Sequence, residues 1–582
     1  MEHQIRGLRV SHPLTKCIRP KQLRTESFSS LSLAGPGKDV PAMTAAPSAQ
    51  TDRFVHDRLP RPAQSPELRY DLPHLLIADQ ANLVASLMAR AAREGWLDRP
   101  CLRSDNCTLS YAQVSAQVSR IAQVLVQGFG LVPGNRVLLR GGNSMGMALA
   151  WLGVVQAGLI AVATMPLLRA KELREVIHKA QPQLALCDGA LRAELDAAGE
   201  GLLRTVAFNL PHDAQSLEAL ASSHEGLWPP CETSADDIAM MAFTSGTTGQ
   251  PKAAVHAHRD ILAACETWPR HVLCASPEDV VMGSPPLAFT FGLGGLLIFP
   301  LWAGASVYYP SKPYTPETMV RLMDEVGATI CYTAPTFYRQ MAPFARTHRP
   351  RALRVCVSAG EALPEATRQL WKDATGIDML DGIGATEMFH IFISSVPGRH
   401  KPGALGAVVP GYTAKVVGED GQELPRGQVG RLAVVGPTGC RYLDDARQAN
   451  YVKGGWNHPG DAFMQDEDGE FFYQARADDM IITAGYNVGG PEVEDALLQH
   501  PAVSECGVVG APDEDRGMVV KACVVLKPGH TGDEAMVKAL QDHVKAALAP
   551  YKYPRLVVFM SALPRTETGK LQRFRLREAP QP

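Results

Sequence analysis

Apolar residues along this chain fall in short blocks separated by Gly, Pro and charged residues, and the blocks alternate between two periods. Residues 238–243 (IAMMAF) and 253–256 (AAVH) are continuous apolar runs of strand length, and they frame a polar loop. Two longer apolar blocks, 147–168 and 287–309, contain no charged residue and are long enough to cross a bilayer. Their interiors argue against a span. In the first, Gln156-Ala157-Gly158 has the character of a helix end, a strand follows over 159–163, and Pro166 breaks the chain. In the second, Pro300 and Gly304 split a helix from a strand over 305–309. Both read as helix–strand units of a buried parallel sheet.

Helix and strand patterns continue to alternate as far as the 470s, the signature of open parallel sheets covered on both faces. The tail differs: a helix over 492–499, strands over 503–509 and 519–526, and a helix over 533–546. The fold class is therefore α/β followed by α+β: a large N-terminal domain of doubly wound sheets (43–477) and a small, mobile C-terminal domain (478–582). The junction is the charged run Ala475-Arg476-Ala477-Asp478-Asp479, suited to a hinge. Residues 1–42 mix basic residues and serines without apolar periodicity. They read as an unfolded leader, or as the product of an upstream start with Met43 as the true beginning.

Composition narrows the class. The 582 residues are 46% apolar and 20% charged, as in a soluble globular protein of two to four domains. A net charge of -3 offers no field for nucleic acid or anionic lipid. The 12 cysteines are scattered, with no metal-ligand spacing, which points to reduced thiols and a cytoplasmic location rather than a disulfide framework or structural zinc.

The most informative segment is the loop Thr244-Ser245-Gly246-Thr247-Thr248-Gly249-Gln250-Pro251-Lys252. Its glycines let backbone N–H groups converge on an anion, its hydroxyls add donors and Lys252 adds charge. A Walker loop needs Gly-Lys-Ser/Thr opening a helix, whereas Lys252 follows proline and precedes a strand. A plain flexible linker would not need flanking strands.

Three further segments carry chemistry. Gly382-Ile383-Gly384-Ala385-Thr386-Glu387 leaves room for a ring or phosphate and ends in a hard oxygen ligand suited to Mg²⁺, although such a glutamate also serves as a helix N-terminal acid. Trp456-Asn457-His458-Pro459-Gly460-Asp461 places a carboxylate after a tight turn, where it suits two ribose hydroxyls or simply caps the turn. Pro564 to Lys570 (PRTETGK) is a turn ending in lysine, a residue that is solvated in most such settings.

In this order the four segments resemble the adenylate-forming superfamily of acyl-CoA synthetases, luciferases and peptide-synthetase adenylation domains, and the match spans 54–575. The resemblance implies roles. Thr244, Ser245, Gly246, Thr247, Thr248, Gly249 and Lys252 wrap the β- and γ-phosphates of ATP, with Gly360, Glu361, Gly382, Ile383 and Gly384 completing the nucleotide site. Glu387 holds Mg²⁺, Thr386 sits near the α-phosphate, Asp461 binds ribose and Arg476 helps place the nucleotide. Lys570 is the catalytic cation between the substrate carboxylate and the α-phosphate. Asp478 is the hinge about which the C-terminal domain swings, and Gly485 and Tyr486 then line the CoA tunnel. Three positions depart from the superfamily pattern: Ile383 for Tyr, Pro459 for Thr and Arg565 for Lys.

Within the superfamily, GIGATEMFHIFIS (382–394), GPTGCRYLDD (436–445) and FVHDRLP (54–60) resemble the benzoate and 2-aminobenzoate CoA ligases. That resemblance implies an acid pocket drawn from His256, Phe289, Phe291, Ser358, Ala359, Ile383 and Met388, suited to a flat ring. The implied reaction takes a carboxylic acid, ATP and CoA through an acyl-adenylate to a thioester, needs neither membrane nor nucleic acid, and is compatible with a homodimer. A medium-chain fatty acid substrate, transfer to a carrier protein in place of CoA, and a nucleotide-binding member without turnover are the competing readings.

Overall fold

The computed structural model describes residues 46–579 apart from 200–202, 211, 245–250, 484–485, 514–515 and 566–569. Two large sheets build the N-terminal part. The first has six strands in the order Thr205–Phe208, Leu184–Asp188, Arg136–Arg140, Ile160–Thr164, Ile238–Thr244, Lys252–Ala257; all pair in parallel except the last two, which form an antiparallel hairpin around the polar loop. The second has nine strands, with parallel pairing through Met379–Gly384, Val355–Ser358, Ile330–Thr333, Val280–Gly283, Ser306–Tyr308 and Pro100–Arg103, and antiparallel strands at both edges.

Strand alternation explains how both faces of each sheet are filled. Val137 and Leu139 of the first sheet, with Tyr332, Val357 and Leu380 of the second, enter one core shared with the helices Leu83–Arg93, Tyr111–Gln123 and Met145–Gln156. Leu138 and Ile160 face the other way, onto the helix Ala170–Ala180. Cys331, Cys356 and Met379 likewise face the helices Pro316–Glu325, Pro335–Thr347 and Glu365–Thr375. Two doubly wound sheets thus sandwich a common helical layer.

The first long apolar block behaves as its punctuation indicates: helix Met145–Gln156, a turn at Gly158 with φ +74, and strand Ile160–Thr164. The second likewise divides into a helical stretch and the strand Ser306–Tyr308, as its punctuation indicates, although Pro300 lies within the helical stretch rather than at its end. Helical structure runs from Thr290 to Ala303, because a π turn over Gly294–Ile298 ends where the Phe299 N–H bonds the Gly294 carbonyl, and Pro300 then occupies a first-turn position. Gly304, at φ +78, is the true stop before Ser306–Tyr308. No helix among the described residues is long and apolar enough to cross a membrane.

A correction concerns 391–476, expected to continue the helix–strand alternation. Here the chain is mainly antiparallel: Ile391–Ser394 folds back on Met379–Gly384, and Thr413–Val417, Val429–Val435, Val452–Lys453, Trp456–Asn457, Asp461–Gln465 and Phe471–Arg476 form a six-stranded sheet of hairpins. The signals were local turns rather than helix periodicity: Gly421, Gly455 and Gly469 all sit at positive φ between the strands.

The tail forms a separate five-stranded sheet, with Gly517–Leu526 central between Val503–Asp513 and the parallel strand Leu556–Phe559, backed by the helices Gly490–Leu498 and Glu534–Ala547. The predicted elements are all present, and the short strand Leu556–Phe559 and helix Arg573–Glu578 add to them. Between the two parts lies the single 3-10 turn Ala477–Asp479, anchored where the Ala477 N–H bonds the Gly460 carbonyl at 2.9 Å and where Arg577 pairs with Asp479.

Candidate active site

Parallel sheets present their loops at the carboxyl ends of the strands, and in such folds ligands bind there. Gly360 and Glu361 leave the end of Val355–Ser358, Thr386 and Glu387 follow Met379–Gly384, and Thr244 and Lys252 bracket the hairpin loop of the first sheet. Asp461 and Arg476 face one another at the end of an antiparallel pair, and Lys570 reaches the same place from the C-terminal segment.

Glu387 is 8% exposed at the start of the 3-10 turn Thr386–Met388, and it accepts a hydrogen bond from the Tyr442 hydroxyl. That hydroxyl also accepts from Lys252 Nζ at 3.3 Å. Asp461 follows Gly460, whose φ of +85 makes the predicted tight turn. Its carboxylate is buried and accepts from Arg476 Nη1 at 3.1 Å, while the same nitrogen bonds the Pro459 carbonyl at 2.9 Å. Burial pushes the Asp461 carboxyl up to about 6, against the opposing charge of Arg476.

Lys570 stands at the exposed rim of this crevice. Desolvation draws its pKa down, while the charges of Glu361, Glu387 and Asp461 push it up and Arg476 opposes it. One lysine is thus brought within electrostatic reach of the glutamate after GIGAT and the aspartate after HPG. Glu361 is braced from both sides, by Thr336 Oγ1 at 2.7 Å and by Arg565 Nη1 at 3.4 Å. Arg565 also pairs with Glu505 of the tail at 2.7 Å, and Asp495 accepts the Ala366 N–H at 3.1 Å, so the tail is docked onto the helix that follows Glu361.

The apolar candidates converge next to these charges. His256 is fully buried, and its Nε2 lies 2.7 Å from the Thr386 carbonyl, an acceptor that assigns the proton to Nε2. Burial holds its pKa below the usual range, so the ring is neutral. Its edge packs on Phe389 with centroids 5.5 Å apart. Met388 is buried, and Phe289, Phe291 and Ile383 are half-buried against the same core, which also holds Ala359. Ser358 is set apart. It ends the strand Val355–Ser358 one residue after Val357 and so points to the opposite face, where its hydroxyl has no hydrogen-bond partner.

The two glycines of GIGATE have a nearer purpose than room for a ligand. A Cβ on Gly382 would meet Ile391 Cγ2 at 2.7 Å, and one on Gly384 the His390 carbonyl at 2.5 Å, so both are required by the returning strand Ile391–Ser394. Ser245 to Gly249 of the phosphate loop and Gly485 lie outside the described residues, as does the leader. Tyr486 is exposed and stacks on Tyr551 at 4.4 Å within the tail, and Asp478 is exposed in its 3-10 turn.

A magnesium ion fits the donor set in one respect: Glu387 offers a hard carboxylate beside a loop lysine. No group of three or more His, Cys, Asp or Glu able to hold a metal gathers among the described residues. One carboxylate completed by nucleotide phosphates and water is the pattern usual for Mg²⁺.

Sequence reasoning passed over Tyr442 and Thr336. Tyr442 lies within the quoted GPTGCRYLDD, and its signal was a buried-type aromatic in a polar segment. Thr336 had no signal apart from the fold.

This arrangement, a nucleotide-type crevice at the carboxyl ends of two doubly wound sheets with a docked α+β tail, defines an AMP-binding enzyme. The chain belongs to that family: residues 88–441 match the AMP-binding enzyme model and 492–570 match the AMP-binding enzyme C-terminal domain. Among its relatives is the benzoate–CoA ligase of Thauera aromatica, 35% identical over 87% of this chain and 98% of the relative. Among solved structures, an anthranilate CoA ligase in complex with anthranoyl-AMP superposes with a TM-score of 0.82 at 33% identity, covering 87% of this chain and 99% of that one. A benzoate CoA ligase from Burkholderia xenovorans LB400 superposes at 0.78 with 32% identity, covering 85% and 100%.

Proposed function

We propose that this protein is an ATP-dependent, AMP-forming ligase that joins an aromatic carboxylic acid of the benzoate class to CoA. The observation that carries the reading is the convergence of Lys570, Glu361, Glu387 and Asp461 at one crevice, where the turn that bears Glu387 rests its Thr386 carbonyl on the buried His256 ring. Adenylation requires a carboxylate to approach a triphosphate, two anions that repel unless cations stand between them.

In this reading the acid lies between His256, Phe289, Phe291, Ile383 and Met388, with its carboxylate toward Lys570. The carboxylate oxygen attacks the α-phosphorus, the bond to the bridging oxygen breaks, and pyrophosphate leaves. Lys570 stabilises the charge that gathers on the transferring group. Lys252 and the loop before it hold the outer phosphates, and Asp461 accepts the ribose hydroxyls. Mg²⁺, held by Glu387, neutralises phosphate charge when bound. In the second step the CoA thiol attacks the acyl carbonyl and AMP leaves.

The two steps need different neighbours, so we assign residues 43–477 and 478–582 to two domains that pivot at Asp478. The described conformation, with Lys570 at the crevice and Tyr486 turned to Tyr551, is the one suited to adenylation. Anthranilate and benzoate are both accommodated by this reading, and a cytoplasmic location fits the unpaired thiols.

The test separates the half-reactions. Lys570→Ala is expected to lose acid-dependent ATP–pyrophosphate exchange while still converting supplied benzoyl-adenylate and CoA to thioester. Equal loss of both would refute the assignment.

A further inference from the structure

The segment Cys440 to Leu443 runs beside the strand that leaves the phosphate loop. The Val255 N–H bonds the Arg441 carbonyl at 2.8 Å and the Leu443 N–H bonds the Ala253 carbonyl at 2.9 Å, so Tyr442 is locked opposite Ala254. The Gln448 side chain secures the segment further, accepting the Tyr442 N–H at 2.9 Å and donating to the Cys440 carbonyl at 3.0 Å. The Tyr442 ring is 1% exposed and meets the edge of Tyr451 at 5.8 Å. Nothing in this setting lets the hydroxyl wander.

That hydroxyl stands between two opposite charges. It donates its single proton to Glu387 and accepts from Lys252 Nζ at 3.3 Å, with the ammonium 5.1 Å from the ring centroid. Among the described residues, the ammonium and the carboxylate are linked through this oxygen rather than by direct contact. A half-buried ammonium and a buried carboxylate held on one hydroxyl attract more strongly than they would in water, and an ion pair between them would occupy both groups. Lys252 would then be withdrawn from phosphate and Glu387 from a metal ion.

We propose that Tyr442 is a positioning residue, a spacer whose hydroxyl keeps Lys252 and Glu387 from collapsing onto each other and so leaves both open to Mg·ATP. This rests on reading the crevice as a Mg·ATP site. Removing the hydroxyl lets the two charges pair directly, and the first function lost is the capture of phosphate by Lys252, which needs no metal.

The experiment is calorimetric titration of the full chain with ATP in EDTA, alongside unfolding followed by circular dichroism. Folded Tyr442→Phe is expected to bind metal-free ATP at least tenfold more weakly than wild type. Adding Glu387→Gln to it removes the competing carboxylate and is expected to restore binding to within about threefold of Glu387→Gln alone, a rescue that a merely structural role for the tyrosine would not produce. Glu387→Gln alone keeps the test decisive if Tyr442→Phe fails to fold: it is expected to bind metal-free ATP at least as tightly as wild type, and a tenfold weakening would overturn the proposal. Wild type and folded Tyr442→Phe binding equally would also overturn it. Wild-type protein that binds no ATP in EDTA would overturn the proposal, and wild type that binds none with Mg²⁺ either would overturn the ligase reading as well.

Discussion

Asp461 is predicted to cost the unliganded protein stability in return for recognising a ribose, so Asp461→Asn should give a more stable and less active protein. Burial pushes its carboxyl from the usual 3.8 up to about 6, despite the guanidinium of Arg476 at 3.1 Å. The sign follows from linkage. An acid whose folded pKa is raised binds its proton more tightly in the folded state, so the folded state is penalised once the unfolded chain ionises. The penalty grows between pH 3.8 and about 6 and is constant above that. A shift of roughly two units at about 1.4 kcal/mol each gives a penalty on the order of 3 kcal/mol at pH 8. Asp461→Asn keeps the shape and removes the charge. With an unfolding entropy of about 1 kcal/mol/K for a domain of several hundred residues, the midpoint should rise by about 3 °C at pH 8, and the gain should shrink toward pH 4. Saturating ATP should narrow or reverse the gap, because wild type gains the ligand's stabilisation and the variant loses much of it. Thermal unfolding of both proteins from pH 4 to 8, with and without ATP, reads each of these. A variant less stable than wild type at pH 8 without nucleotide would refute the reasoning and make Arg476 the dominant influence on the carboxylate.

Two further substitutions test the frame around the crevice. Gly384→Ala places a Cβ 2.5 Å from the His390 carbonyl, a backbone atom that cannot swing aside. A loss of about 1–3 kcal/mol or more is expected, read as a lower unfolding midpoint and weaker ATP binding together. Arg565→Ala removes the link between Glu361 and Glu505. These are partly exposed contacts, worth about 1 kcal/mol at most, so adenylation should fall no more than about fivefold while protease cleavage near Asp478 quickens.

What the sequence disclosed and what it withheld divide along physical lines. Strands buried on both faces read as unbroken apolar runs, which is why Ile160–Thr164 and Ile238–Thr244 were legible from composition alone. The run from Ile391 to Arg476 was misread because hairpin strands with one wet face are short, and their register is set by glycine turns rather than by a long apolar signal. Of the two breakers in 287–309, Gly304 ends the helical stretch, while Pro300 is accommodated in its last helix because a π turn ends two residues earlier. At the site, motif residues such as Glu387, Asp461 and Lys570 carry their chemistry in their side-chain type and could be named. Tyr442 could not, because its importance lies in standing between Lys252 and Glu387, which are distant in sequence. The glycines of GIGATE were recognised for their smallness, yet only packing shows that the returning strand, and not a ligand, demands it.

This crevice is expected to make CoA thioesters of ring acids. The most direct measurement incubates the protein with ATP, Mg²⁺ and CoA against benzoate, 2-aminobenzoate, hydroxybenzoates, phenylacetate and octanoate, and identifies thioesters by mass. A benzoate-class acid preferred at least tenfold in kcat/KM, about 1.4 kcal/mol of transition-state binding, is the predicted result. Octanoate preferred over every ring acid, or AMP released without any thioester, would contradict it.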